Sequence, residues 1–136
     1  MKTSVLSLFV LSIVCCAHLV SAHAGDCVGV RNGQGGVGCM KFSAAERRAA
    51  AAFDLRIGES VEQVDQELGR HGWSLDRDWL RGELANAVFQ PPGAQMICGD
   101  GLDALCTKAF KRGARRVYLT FSKNSDALIG VDTKSP

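Results

Sequence analysis

Histidine is scarce in this sequence of 136 residues, and the common catalytic motifs are missing. Of the three histidines, only His71 lies well away from the N-terminus, in a polar stretch where a surface position is ordinary. Neither H-E-x-x-H nor G-x-S-x-G occurs. We therefore expect a non-enzymatic protein with no catalytic residues, no cofactor and no metal ion. A small hydrolase that uses His71 or a pair of carboxylates is the weakest alternative.

Long hydrophobic runs are also missing, apart from one between Val5 and Cys16. Together with Lys2 and the small residues Ala22 and Ala24, this run predicts a signal peptide over residues 1–24. The run is shorter than the roughly 20 residues that span a bilayer. We expect an exported protein, periplasmic or secreted, that does not span a membrane.

No strong excess of one charge is present. The chain has 16 basic and 14 acidic residues, and removal of Lys2 with the signal peptide would leave a net charge of +1. A nearly neutral protein lacks the general attraction for polyanions that a basic protein has. We therefore expect no nucleic-acid partner.

Four cysteines remain after the predicted cleavage: Cys27, Cys39, Cys98 and Cys106. An even number in an exported chain predicts disulfides. Three pairings are possible, and we favour Cys27–Cys39 and Cys98–Cys106 because each closes a short loop. A zinc site with four cysteine ligands is the alternative, but it needs more closely spaced pairs than these.

Glycine dominates residues 25–42, which we predict to be an irregular, mobile arm tied by one disulfide. The remainder, residues 43–136, is predicted to be a single domain. Ser43 and Glu46 form the sequence pattern of a capping box, and the alanine-rich run from Ala44 to Phe53 favours a helix. We expect this helix to pack through Ala45, Ala49, Ala52 and Phe53.

The sequence contains capping signals for both ends of a second helix. Ser60 and Gln63 form another capping box, and Val61, Val64 and Leu68 recur on one face. Gly69 is predicted to end this helix in the left-handed conformation.

The segment between this helix and Cys106 gives weaker signals. We predict a helix or an irregular segment from Asp76 to Ala87, and short strands at Val88–Phe89 and from Gln95 to Ile97. The residues between Cys98 and Cys106 are expected to form a loop that continues into a helical turn through Phe110.

The C-terminal part alternates in polarity. Val117, Leu119 and Phe121 should point to one side of a strand, and a return strand from Ala127 to Asp132 completes a hairpin. The predicted fold class is α+β, with two N-terminal helices packed on a small antiparallel sheet that ends in this C-terminal hairpin.

Candidate binding residues follow from exposure and charge. The basic cluster, Lys108, Lys111, Arg112, Arg115 and Arg116, and the outward face of the predicted sheet could meet another protein. A charge cluster is equally often a solvated face. The alternative ligand is an anionic glycan or lipid headgroup. The candidate binding residues are Trp79, Lys108, Lys111, Arg112, Arg115, Tyr118 and Thr120.

Two blocks of the sequence resemble known families. The helix segment from Leu55 to Gly69, Leu-Arg-Ile-Gly-Glu-Ser-Val-Glu-Gln-Val continuing to Leu-Gly, resembles the L-x-x-G-M-[ST]-x-x-x-V…L-G helix of the SmpA/OmlA (BamE) outer-membrane assembly lipoproteins. It is equally similar to the repeat of β-lactamase inhibitor protein, and the strand from Arg116 resembles the late strand of both. The resemblance implies a non-catalytic protein-binding domain of the bacterial envelope, either an assembly factor or an enzyme inhibitor, whose partner is another envelope or secreted protein.

Overall fold

The computed structural model describes residues 27–31, 37–87, 90–101 and 104–134. Within these ranges the chain has three helices and antiparallel strands, which confirms the predicted α+β class. The predicted signal peptide and the possible strand at Val88–Phe89 lie outside the described residues. The helices are α1 (Ala44–Ala51), α2 (Val61–Arg70) and α3 (Arg77–Asn86), and the strands are β1 (Cys27–Arg31), β2 (Val37–Lys41), β3 (Ser74–Leu75), β4 (Ile97–Cys98), β5 (Leu105–Arg112), β6 (Arg115–Ser122) and β7 (Leu128–Asp132).

The main sheet has five strands in the order β3-β5-β6-β7, and β4 pairs with β5 beside β3. In the β5–β6 hairpin Phe110 pairs with Val117 and Lys108 with Leu119, so these residues share one face of the sheet. The register between β6 and β7 shifts after Thr120, which interrupts the alternation that the sequence predicted for the return strand.

Strand β5 corrects a prediction. The sequence predicts a helical turn after Cys106, but these residues form the central strand of the sheet. Both faces of β5 are covered, since Ala109 on one face and Phe110 on the other are buried. A strand that is covered on both sides does not alternate between polar and apolar residues, and Lys108 obscures the pattern further.

Helices cover both faces of the sheet, not one. Helices α1 and α2 share a hydrophobic core with Val117, Leu119 and Phe121 on one face. Helix α3 lies on the opposite face, where the ring of Trp79 contacts that of Tyr118 at 5.9 Å between centroids. The sequence predicted the first layer of helices but not the second. The other members of the core are Ala50, Leu55, Val64, Leu68, Trp73, Cys106, Phe110 and Leu128.

The two predicted capping boxes are both confirmed. The Ser43 and Ser60 hydroxyls accept from the backbone N–H groups of Glu46 and Gln63, whose side chains accept from the serine N–H groups in return. Hydrogen bonding to Ser43, first of all from its backbone N–H, lowers the pKa of the Glu46 carboxyl. The buried face of α1 is nevertheless one residue from its predicted position, because Ala50 is fully buried and Ala45 is exposed.

The end of α2 also differs from the prediction. Gly69 stays helical, and Gly72 takes the left-handed conformation with φ of 77°. The N–H of Trp73 donates to the carbonyl of Leu68, and that of Gly72 to the carbonyl of Gly69. This is a Schellman motif. It brings Trp73 back onto Leu68 in the core, and the apolar contact explains why the helix ends at the later glycine.

The arm predicted as irregular contains a regular hairpin. Strands β1 and β2 pair in an antiparallel two-stranded sheet that is separate from the main one. Val28, Val30 and Val37 have the strand propensity that the number of glycines concealed.

Both favoured disulfides are present. Cys27 is bonded to Cys39 within the N-terminal hairpin, and Cys98 to Cys106 between β4 and β5, where the two residues are direct cross-strand partners. Disulfides of this kind persist in oxidising compartments, so they indicate a protein that folds outside the cytoplasm.

Candidate functional site

The structure divides the predicted basic cluster into three places. Lys108 is buried, with 2% of its side chain exposed, on the face of the sheet that α2 covers. Its Nζ donates to both carboxylate oxygens of Asp65, at 2.6 and 2.7 Å, and lies 5.5 Å from the centroid of the Phe110 ring. Lys108 therefore connects α2 to β5, and its charge is not presented to a partner as the sequence predicted.

Lys111 lies on the opposite face, beside the first turn of α3. Its Nζ donates to Asp78 at 3.1 Å and is 3.8 Å from the fully buried carboxylate of Asp76. Arg116, its cross-strand neighbour, donates from Nε to Asp76 at 2.6 Å. The charges of Lys111 and Arg116 are thus largely balanced by two acidic residues of the α3 N-terminus.

Asp76 is both the N-cap of α3 and the centre of this ion-pair group. Its carboxylate accepts from the backbone N–H of Trp79 at 3.2 Å. Burial raises the pKa of the Asp76 carboxyl, but the bonds from Trp79 and Arg116 together with the nearby positive charges outweigh it, so the pKa is lowered. Asp76 is therefore an anion that holds α3 against the sheet.

The predicted outward face of β6 is covered. Tyr118 is buried, with 7% of its surface exposed, and Trp79 and Thr120 are partly buried. Trp79 packs on Tyr118 because α3 lies there. Tyr118 is therefore a packing residue, which corrects the expectation that it faces solvent.

Arg112 and Arg115 are exposed, and unlike Arg116 they form no ion pair with another described residue. They face each other at the end of the β5–β6 hairpin, where Gly113 supplies the positive φ of the two-residue turn. Their guanidinium carbons lie 4.8 and 5.8 Å from the centroid of the Trp73 ring, within cation–π distance. We call Arg112, Arg115 and Trp73 the arginine tip.

Contacts with residues outside the arginine tip hold it in place. Arg112 donates from Nη1 to the backbone carbonyl of His71 at 2.9 Å. Trp73 is buried, and its ring meets that of Phe53 edge to face at 5.5 Å. Two exposed cations are therefore held on a rigid aromatic base, an arrangement that attracts oxyanions and acidic side chains.

A small cavity of about 110 Å³ opens beside the arginine tip. The imidazole of His71 borders it, and its Nε2 lies 3.0 Å from a carboxylate oxygen of Glu67 and 3.4 Å from one of Asp54. Glu67 also pairs with Arg70. The cavity is lined by Ala52, Phe53, Asp54, His71, Trp73, Arg112 and Arg115.

Sequence reasoning identified Arg112 and Arg115 but missed Trp73 and His71 as their neighbours. Trp73 is buried in the core, and its ring also contacts the two arginines. The sequence signal for the paired arginines is the hairpin turn. In Arg-Gly-Ala-Arg, a two-residue turn between two strands places both arginines side by side.

The part of the chain that the structure describes contains no group of three or more histidine, cysteine or acidic side chains that could hold a metal ion. None of its helices is both long and apolar enough to cross a bilayer. Comparisons with protein-family models, with curated proteins and with solved structures found no match to this chain.

Proposed function

We propose that the chain is an exported, non-catalytic domain that binds an acidic surface of another envelope or secreted protein through the arginine tip. The supporting observation is the exposed pair Arg112 and Arg115, which has no carboxylate partner within 4.0 Å among the described residues. Arginine on a buried aromatic base loses little conformational freedom on binding, and arginine is a frequent hot-spot residue of protein interfaces.

The alternative partner, an anionic glycan or lipid headgroup, requires a broader charged face. Juxtamembrane sites for anionic lipids typically gather about 4–8 basic residues. Here Lys108 is buried against Asp65, and Lys111 and Arg116 are occupied by Asp76 and Asp78. We therefore favour a compact acidic feature on a protein over an extended polyanion.

Kinship with the SmpA/OmlA (BamE) type and with β-lactamase inhibitor protein is part of the proposal. It rests on the capped helix α2, which shares a hydrophobic core with α1, and on a sheet that ends in the β6–β7 hairpin. Location in the periplasm or outside the cell is likewise proposed, from the disulfides and the signal-peptide pattern of residues 1–24.

Affinity capture from an envelope extract of the source organism tests the proposal. The oxidised mature chain should retrieve a partner, and the double variant Arg112→Glu/Arg115→Glu should reduce its recovery at least tenfold. Recovery by the unchanged chain should also fall as salt is raised, since the contact is electrostatic.

The matched control is Arg77→Glu/Arg81→Glu. These two arginines are exposed on α3, and their replacement changes the net charge by the same amount. The control should retain the partner. An unchanged chain that retrieves nothing above background, or equal losses in the two double variants, contradicts the proposal.

A further inference from the structure

We infer that the cavity beside the arginine tip is a binding site for a single oxyanion group, a carboxylate or a tetrahedral phosphate or sulfate. This inference rests on the proposed function, since it names the chemical group that an acidic partner would place there. Its components are the guanidinium groups of Arg112 and Arg115, the Trp73 ring and His71.

The size of the cavity suits one such group. A volume of about 110 Å³ exceeds by several-fold the roughly 10–15 Å³ that one water molecule requires. It would admit a carboxylate or a tetrahedral oxyanion. The ligand can enter as the end of a larger molecule or as a free small anion.

Most of the N–H groups of the two arginines have no partner among the described residues. Arg112 uses one guanidinium nitrogen on the His71 carbonyl, which leaves its other N–H groups for a ligand. Arg115 makes the ring contact with Trp73 and has no hydrogen-bond acceptor or carboxylate among the described residues. Two planar guanidiniums side by side match the bidentate geometry that carboxylates and phosphates prefer.

The acidic residues near the cavity are engaged by another group. Glu67 binds both Arg70 and the His71 imidazole, and Asp54 lies 3.4 Å from the same imidazole nitrogen. Asp54 also lines the cavity, so a bound oxyanion would lie near this carboxylate as well as near the two guanidinium groups. The backbone carbonyl of His71 fixes Arg112. We assign His71 as a positioning residue of the site.

Two positive charges lie side by side at the end of the hairpin. Arg112 and Arg115 are direct cross-strand partners, and like charges in that position repel each other. An oxyanion between them would convert the repulsion into two attractions. The site should therefore bind the anion and raise the stability of the folded chain together.

Titration of the ¹⁵N-labelled oxidised mature chain at low ionic strength tests the inference. The probes are inorganic phosphate and the blocked peptide acetyl-Glu-Glu-Glu-amide, with the indole N–H of Trp73 and the arginine side-chain N–H signals as readout. We expect saturable shifts at Trp73 and Arg115 with at least one probe, and at least tenfold weaker binding when the ionic strength reaches that of the cell. The probe that saturates identifies the class of oxyanion.

Neutral variants give the control. Arg112→Gln/Arg115→Gln should lose binding at least tenfold, whereas Arg77→Gln/Arg81→Gln should bind within twofold of the unchanged chain. His71→Ala should weaken binding less than the arginine variant and alter the arginine signals in the free protein. Both arginine pairs are exposed, and none of the four residues belongs to the hydrophobic core.

Two results would overturn the inference: no saturable shift at Trp73 with either probe, or equal losses in the two double variants. Both are distinguishable from failure of the proposed function. A captured partner that depends on Arg112 and Arg115, with no small-anion binding, removes the cavity site but keeps the partner. Anion binding with no captured partner keeps the cavity site but removes the proposed protein partner.

Discussion

Two buried charged residues attach the helices to the sheet. Lys108 of β5 reaches Asp65 of α2, and Asp76 at the start of α3 reaches Arg116 of β6. Burying a charge is costly unless a partner and hydrogen bonds compensate. Each pair therefore sets the position of a helix more than it adds net stability.

The Lys108–Asp65 pair should respond unequally to loss of its two members. Asp65→Ala leaves a buried ammonium without a counter-charge, whereas Lys108→Met leaves a carboxylate that is 37% exposed and can be hydrated. We expect Asp65→Ala to lower the free energy of unfolding by about 2–3 kcal/mol and Lys108→Met by less than about 1 kcal/mol. Urea titration followed by circular dichroism measures both. Equal losses would show that Lys108 is not buried as described.

Asp76 makes stability depend on pH in a defined direction. Its pKa in the folded protein is below the ordinary value of 3.8, so the ionised carboxylate stabilises the folded state more than the protonated form does. The contribution is complete above pH 3.8 and is lost as the pH falls through the lower value in the folded state. Asp76→Asn keeps an N-cap but loses the ion pair, and should cost about 1–2 kcal/mol at neutral pH.

The comparison is the difference in unfolding free energy between the unchanged chain and Asp76→Asn. It should shrink as the pH is lowered below 3.8. Other carboxylates, such as Glu46, titrate in both proteins and cancel. A difference that stays constant to pH 2 would refute a charged Asp76 in the fold.

At the scale of elements, α2 shows how two glycines in one turn have opposite roles. Gly69 is helical and has open space where a Cβ atom would lie, whereas Gly72 has φ of 77°. Gly69→Ala should raise the free energy of unfolding by about 0.5–1 kcal/mol, because alanine is the better helix former. Gly72→Ala should lower it by about 1–2 kcal/mol, because a side chain strains the left-handed conformation.

Thermal and urea unfolding of the two single variants checks this pair of opposite signs. Reversed signs would mean that the helix ends at Gly69, as the sequence alone predicted. A Cβ atom at position 72 would lie 3.8 Å from the Arg112 side chain, an ordinary van der Waals distance, so the expected loss of stability comes from backbone strain and not from a clash.

Elements with local signals were predictable and those defined by distant partners were not. The start of α2 is specified by Ser60 and Gln63, three residues apart, and it was predicted correctly. Strand β5 depends on β3 and β4 on one side and β6 on the other, and nothing within its own sequence indicates that both faces are covered. Lys108 is a charged residue in a buried position, so the sequence of β5 resembles that of a polar segment.

The same distinction applies to the candidate site. Arg112 and Arg115 are three residues apart and were identified from the charge pattern. Trp73 and His71 lie about forty residues earlier, and they meet the arginines only because β3 pairs with β5 in the observed register. Without that pairing, the sequence could not separate these two arginines from Lys108 and Lys111, whose charges are taken up by α2 and α3.

At the scale of the whole molecule, the two disulfides serve separate sheets. Cys98–Cys106 closes a short loop within the main sheet, and its removal as Cys98→Ala/Cys106→Ala should cost roughly 2–3 kcal/mol in the chain-entropy account. Cys27–Cys39 belongs to the separate N-terminal hairpin. We expect Cys27→Ala/Cys39→Ala to leave the unfolding of the main sheet within about 0.5 kcal/mol of its original value.

Tryptophan fluorescence follows the unfolding of the main sheet selectively. Trp73 and Trp79 are the only tryptophans of the sequence; Trp73 lies in the core beneath the sheet and Trp79 packs on Tyr118 of β6. A large loss from removal of Cys27–Cys39 would show that the N-terminal hairpin packs on the main sheet.

Strand β5 also determines how the protein can be displayed in an experiment. The disulfide is at Cys106 and the arginine tip begins at Arg112, six residues along the same strand, a separation of about 20 Å at 3.4 Å per residue. A chain immobilised through an exposed residue near the disulfide, such as Leu105, would present Arg112 and Arg115 away from the surface, so a biosensor built in that orientation leaves the binding end accessible.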